Sequence, residues 1–289
     1  MRVGRVGLPF LAAATALVVA VDGLTPAAKA DGDEVTMMRV EPGAGNTQMV
    51  NAVKQDAQKW PATLQYLVQN KFNCTSTVIG DRVVITAAHC LPQSGLANIK
   101  LFDVSYKLRC TADPRYQSSN LTFDVAMCVI DDSQQTFPNN KFHYENLDLR
   151  ITHVRLGQNL FLLGYGCRQF PVPGGDPAPQ AGALYGGPSP VFDLARQPGG
   201  HLITKGGAVI CPGDSGGAAY AMRDPDTITE YRSIVGLNSE YIDTVSESFI
   251  TPLSGDVGEF IVDWMNDNGV SICGVKQGTS NCLSPSYSP

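Results

Sequence analysis

Hydrophobic positions along this chain come in short runs, cut by Gly, Pro, Asn and Asp, from about Trp60 onward. Val104, Tyr106, Leu108 and Cys110 alternate with Ser105, Lys107 and Arg109, the period of a strand with one face buried. Val83 to Thr86, Val125 to Ile130, Leu160 to Leu163 and Ser233 to Leu237 read as further short strands. Many short strands without helices between them predict an all-β sandwich or barrel. Near the end, Ser254 to Asn268 has helical spacing, with Phe260, Ile261, Trp264 and Met265 on one face and Gly269 as the stop. Residues 171–200 are crowded with Gly and Pro and predict a surface loop or loop pair.

The two ends of the chain differ from this texture. Arg2 and Arg5 precede an apolar stretch from Leu8 to Val21, and Ala28-Lys29-Ala30 offers a cleavage site before Asp31. The stretch falls short of the roughly 20 residues of a spanning helix. Residues 1–30 therefore read as a secretory signal, and no membrane association is expected after its removal. Residues 31–48 are polar and turn-prone and read as a linker or propeptide. Residues 269–289 form a polar tail carrying Cys273 and Cys282, which a local bridge would close.

Composition narrows the function classes. Hydrophobic residues at 43% and charged residues at 17% mark a globular chain, and 289 residues suffice for a sizeable core. A net charge of -6 with no basic run argues against nucleic acid. Eight cysteines follow the expected cleavage site, an even number on an exported chain, which reads as disulfides. No C-x-x-C pair occurs and only four histidines are present, so neither a metal nor a cofactor is expected.

Three segments carry chemistry: Thr86-Ala87-Ala88-His89-Cys90, Phe123-Asp124-Val125-Ala126 and Cys211-Pro212-Gly213-Asp214-Ser215-Gly216-Gly217. A serine hydroxyl needs a base to become a nucleophile. Flanking glycines let the backbone turn sharply, so that Gly213 and Ser215 can both aim N–H groups at one oxyanion. His89 is the expected base, and Asp124 the carboxylate that holds its tautomer. Asp103 is also followed by Val, but Asp124 sits in the better context. His143, His153 and His201 lie in polar or loop-like settings and read as surface residues.

In the order His, Asp, Ser these motifs resemble the trypsin-like serine proteases. Gly164-Tyr165-Gly166, Ile234 to Ser239 and Val262 to Met265 also resemble segments of that family, and the likeness runs from about residue 49 to 268. The resemblance implies two packed six-stranded antiparallel β-barrels, about 49–150 and 151–268, with a short C-terminal helix. It implies a secreted, monomeric endopeptidase acting on proteins or peptides, open to a protein inhibitor. The catalytic set would be His89, Asp124 and Ser215, with Gly213 and Ser215 as oxyanion donors. Ser239 would support the acid. Val209 would lie at the base of the primary pocket and Tyr241 on its wall, which argues against an Arg or Lys preference and favours small or medium apolar residues. Asp214 would pair with the amine of Met49 after activation. However, Met49-Val50-Asn51-Ala52 follows Gln48 rather than a basic residue, and Met49, Val50, Val53, Ala57 and Trp60 equally fit an amphipathic helix. The disulfides implied are Cys74–Cys90 and, with Cys167 as the partner proposed for Cys211, Cys167–Cys211, leaving Cys110–Cys128 and Cys273–Cys282. Asn73-Cys74-Thr75 and Asn120-Leu121-Thr122 match the glycosylation acceptor pattern.

Overall fold

A computed structural model of the chain describes residues 35–39, 49–69, 71–150, 154–167, 183–222, 228, 230–276 and 279–283. The signal reading of residues 1–30, together with His153 and the stretch 168–182, lies outside the described residues.

The first barrel is built from β1 (Val35–Met38), β3 (Thr63–Val68), β4 (Lys71–Val78), β5 (Val83–Thr86), β6 (Leu96–Leu101), β7 (Val104–Ala112) and β8 (Ala126–Ile130). It closes in the order β1-β3-β4-β5-β8-β7-β6. The four residues of β5, Val-Val-Ile-Thr, are all β-branched and all buried, as suits a strand paired on both sides by β4 and β8. The second barrel joins β2 (Val53–Lys54), β9 (Asn159–Gly164), β10 (Tyr185–Asp193), β11 (Leu202–Lys205), β12 (Ala218–Met222), β13 (Arg232–Ile242) and β14 (Glu247–Pro252). Its order is β11-β14-β13-β12-β9-β10-β2, and a β10–β11 pairing closes it. Helix α1 (Asp256–Asp267) follows, burying Val257, Ile261, Trp264 and Met265.

Each barrel thus has the six expected strands and one more. In the first barrel the extra strand is β1, so part of the segment read as a linker or propeptide belongs to the folded domain. In the second it is β2, which replaces the helix that the spacing of Met49 to Trp60 permitted. Met49 and Trp60 are buried, whereas Val53 is exposed and Ala57 only half-buried, so the apolar spacing tracks no single helical face.

The Gly/Pro-rich stretch needs a correction too, because Tyr185–Asp193 is a nine-residue strand and not a loop. Gly186 lies against the Phe161 ring, where a Cβ would come within 2.5 Å. The carbonyl of Pro188 accepts from Ala208, on the side away from β9. A strand residue aims its N–H the same way as its carbonyl, so a proline here removes no β9 bond. Ser189 and Val191 then alternate inward.

Between the barrels, Trp60 stacks on Phe161 with centroids 5.4 Å apart and meets Tyr220 at 5.2 Å. The guanidinium of Arg232 sits 3.9 Å from the Trp60 ring centre. The C-terminal tail is docked: Cys273 is fully buried, Leu147 donates to its carbonyl, and Tyr144 donates to Asn281. Four disulfides join Cys74–Cys90, Cys110–Cys128, Cys167–Cys211 and Cys273–Cys282.

Candidate active site

His89 follows β5 on a single 3₁₀ turn, Ala88–Cys90, and the Cys90–Cys74 bridge ties that turn to β4. Asp124 lies just before β8, Ser215 just before β12, and Ser239 inside β13. Asp124 is fully buried and accepts three hydrogen bonds. They come from the His89 N–H at 2.9 Å, His89 Nδ1 at 2.7 Å and Ser239 Oγ at 2.6 Å. A carboxylate only accepts, so Nδ1 carries a proton and Nε2 is left as the basic nitrogen. Burial pushes the Asp124 carboxyl up, but the His89 ring and the Ser239 hydroxyl outweigh this and hold it below the ordinary value.

The backbone before Asp124 is unusual. Leu121 and Phe123 have φ of 51° and 54°, the left-handed region that bulky residues rarely enter. Two contacts hold Phe123 there. Its N–H donates to Gly199 at 3.0 Å, and the Arg115 guanidinium lies 4.5 Å from its ring centre. Arg115 is itself clamped by Asp113 through bonds of 2.9 and 2.8 Å and donates to the Asp256 carbonyl at the start of α1.

The glycines around Ser215 are required by contact. Gly216 has φ 77°, and a Cβ there would strike Thr86 Oγ1, the Thr75 carbonyl and, at 2.8 Å, the Ala87 nitrogen. Gly217 would meet the Leu163 and Asp214 carbonyls. Thr75 on β4 fixes this loop from the other barrel: its hydroxyl donates to the Gly213 carbonyl at 2.9 Å and its N–H to the Ser215 carbonyl at 2.8 Å. Among the described residues, the N–H groups of Gly213 and Ser215 make no hydrogen bond within the protein. Gly213 has φ 100°, a conformation open to glycine and strained for other residues. Two free donors beside a serine oxygen are what a tetrahedral oxyanion needs. The Ser215 hydroxyl donates to the Ser239 carbonyl at 3.2 Å. Ser239 therefore holds the acid with its side chain and the nucleophile with its main chain. Among the described residues no hydrogen bond joins His89 Nε2 to the Ser215 hydroxyl, and catalytic bonds of this kind often form or tighten only when substrate binds.

Asp214 is buried beneath this loop. Its carboxylate accepts from Gly166 at 2.7 Å and Cys211 at 2.9 Å. Gly164 and Gly166 press on it closely, a Cβ on either falling within contact of the carboxyl. Among the described residues no ion pair reaches it, and desolvation pushes its pKa up to about 7. The folded protein thus holds this proton more tightly than the unfolded chain. Its stabilising share is complete below the unfolded value of 3.8 and is lost as pH rises to about 7. The swing over that window is about 4 kcal/mol. Denaturant midpoints of Asp214→Asn and the parent should therefore diverge in slope between about pH 4 and 7, the parent losing stability with rising pH. Parallel curves would show that Asp214 does not titrate there.

On the expected substrate side, Val209 is buried and its N–H donates to Val50 at 2.9 Å, while Ile210 donates to Ser248 Oγ at 3.1 Å. Tyr241 is half-buried and packs on the second barrel's apolar cluster. His201, read as a surface residue, is half-buried. Its ring meets Phe249 edge-on at 5.9 Å, and desolvation holds its pKa below the ordinary value despite nearby Asp124 and Glu240. His143 is exposed. Thr75 and Arg115 escaped the sequence reading. Thr75 stood only in a glycosylation pattern, and a polar side chain fully buried against a loop 138 residues away leaves no local signal. Among the described residues, His89 with Cys74 and Cys90 is the one grouping of metal-ligand type, but its two sulfurs are bonded to each other.

A sequence model described as Trypsin matches residues 49–252. The chain belongs to the Trypsin family. Among solved structures, human heparin binding protein shares the fold with a TM-score of 0.55, 17% identity, and coverage of 75% of this chain and 95% of that one. No curated protein sequence matches the chain. The family match begins at Met49 and ends at Pro252, so β1, α1 and the docked tail lie beyond it.

Proposed function

We propose that this member of the Trypsin family is a secreted serine endopeptidase using His89, Asp124 and Ser215. Ser215 attacks the scissile carbonyl, His89 Nε2 takes its proton and returns it to the leaving amine, and Asp124 stabilises the imidazolium. The N–H groups of Gly213 and Ser215 hold the oxyanion of the acyl-transfer intermediates. The observation that carries this reading is the buried Asp124 bonded to His89 Nδ1, beside a serine flanked by two unused N–H donors. Four disulfides agree with an oxidising, extracellular setting. A fluorophosphonate probe followed by mass spectrometry tests the reading: an adduct on Ser215 is expected, and an unlabelled Ser215 in folded protein would remove it.

In this reading Val209, followed by Ile210, forms the base of the primary pocket and Tyr241 its wall, and the apolar, buried character of Val209 and Ile210 supports a preference for small or medium apolar residues before the scissile bond. Cleavage of a peptide library should favour Ala, Val or Leu over Arg and Lys by about 10²-fold, since no carboxylate awaits a cation there. A basic preference would overturn this assignment. The enzyme would act as a monomer, on proteins or peptides, with a protein inhibitor able to fill the same cleft.

A second reading is a protease-like binding protein without turnover. The fold likeness to a heparin binding protein supports it, but heparin is a polyanion and this chain carries a net charge of -6. The same probe separates the two.

A further inference from the structure

Strand β1 lies ahead of the family match, in a stretch whose polarity reads as a linker or discarded propeptide. Its contacts are those of a structural element. Val35 to Met38 pair antiparallel with Val68 to Gln65 of β3, and Thr36 to Met38 pair parallel with Asn98 to Lys100 of β6. Val35 and Met37 are buried in the cluster that holds Leu64, Tyr66, Ile99 and Leu101, while Thr36 and Met38 are half-exposed. That is the period-two pattern of an integral barrel strand. β1 is also the strand that closes the first barrel: without it, β3 and β6 each present an unpaired edge. Arg39 lies 5.3 Å from the Phe102 ring centre just beyond it. At the far end of the connection, Met49 is fully buried and Val50 bridges to Val209. The first cysteine is Cys74, so no disulfide can tether a segment cut away upstream of it.

We propose that residues 35–38 are a permanent strand of the working protein. A cut within residues 40–48 leaves the N-terminal peptide seated between β3 and β6, held by strand addition and by the Val35 and Met37 side chains. The Ser215 site works with this strand in place and does not depend on its release. This last statement rests on the proposed catalysis; retention of the strand does not.

The test uses the full chain with a site-specific protease recognition sequence in place of residues 41–46. It is cut under native conditions and then run by gel filtration and mass spectrometry. The N-terminal fragment is expected to elute with the body, and fluorophosphonate labelling of Ser215 to change by less than twofold on cutting. A second chain, starting at Met49, is expected to be insoluble or to melt at least about 10 °C lower, a large change for a domain of this size. A synthetic peptide of residues 33–40 should restore it. A fragment that elutes alone while the body keeps its melting temperature would overturn the proposal, as would a Met49 chain as stable as the parent. Labelling that rises more than tenfold on cutting would overturn the second half alone. A fragment that co-elutes from a protein never labelled at Ser215 would sustain the strand and remove the catalytic reading.

Discussion

Replacing His89 with alanine will lower kcat on a peptide substrate by about 10⁶-fold if the triad operates as proposed. The size follows from the role: without Nε2 nothing takes the serine proton, and the remaining donors of Gly213 and Ser215 supply only the residual oxyanion stabilisation. Asp124→Asn should cost about 10⁴-fold while leaving the fold in place. An amide can donate as well as accept, so it no longer dictates which nitrogen of His89 carries the proton. Both losses should appear in kcat, with KM little changed, because neither side chain is assigned a share of ground-state binding. A His89→Ala protein retaining activity within tenfold of the parent would dismantle the assignment.

The second large effect concerns stability. Arg232 and Glu145 are each about 1% exposed and form a two-bond ion pair, Nε to Oε2 at 2.9 Å and a terminal nitrogen to Oε1 at 2.5 Å. Arg232 also donates to the carbonyls of Ile228 and Lys59 and lies over Trp60. Residues 145–148 bond to both barrels, Glu145 to Val78 and Asp148 to Ile234, so the pair sits where the barrels meet. Arg232→Met leaves Glu145 buried without a cation, which costs about 3–5 kcal/mol. For a chain of this size that lowers the melting temperature by about 10 °C. Adding Glu145→Met should recover much of the loss, because two apolar side chains can replace a buried pair at little cost. If the single and double variants melted together, the unpaired charge would not be the cause.

Legibility in the sequence followed the range of the interaction responsible. Strands with a run of β-branched residues or a clean alternation, such as Val83–Thr86 and Val104–Ala112, could be read locally. So could α1, whose apolar face repeats at helical spacing over its length. Tyr185–Asp193 could not, because its glycines and prolines are tolerated only through neighbours on other strands: Phe161 beside Gly186, and Ala208 at Pro188. Val35–Met38 is only four residues long, and its partners β3 and β6 lie far along the chain.

By itself the sequence determined the β class and the glycine-rich Gly213-Asp214-Ser215-Gly216-Gly217 turn, which depend on local period and backbone freedom, while His89, Asp124 and Ser215 were singled out by the resemblance of their motifs to the trypsin-like serine proteases. Tertiary structure alone decided what surrounds them. Ser239 binds Asp124 with its hydroxyl and Ser215 with its carbonyl, and Thr75 reaches across from the other barrel to fix the nucleophile loop. Asp214 is left buried with two N–H donors, and β1 is drawn into a barrel the sequence placed downstream of it. Apart from the Cys211 bond to Asp214, these contacts join residues tens to more than a hundred positions apart, and their energies come from burial and hydrogen-bond geometry that exist only once the chain has folded.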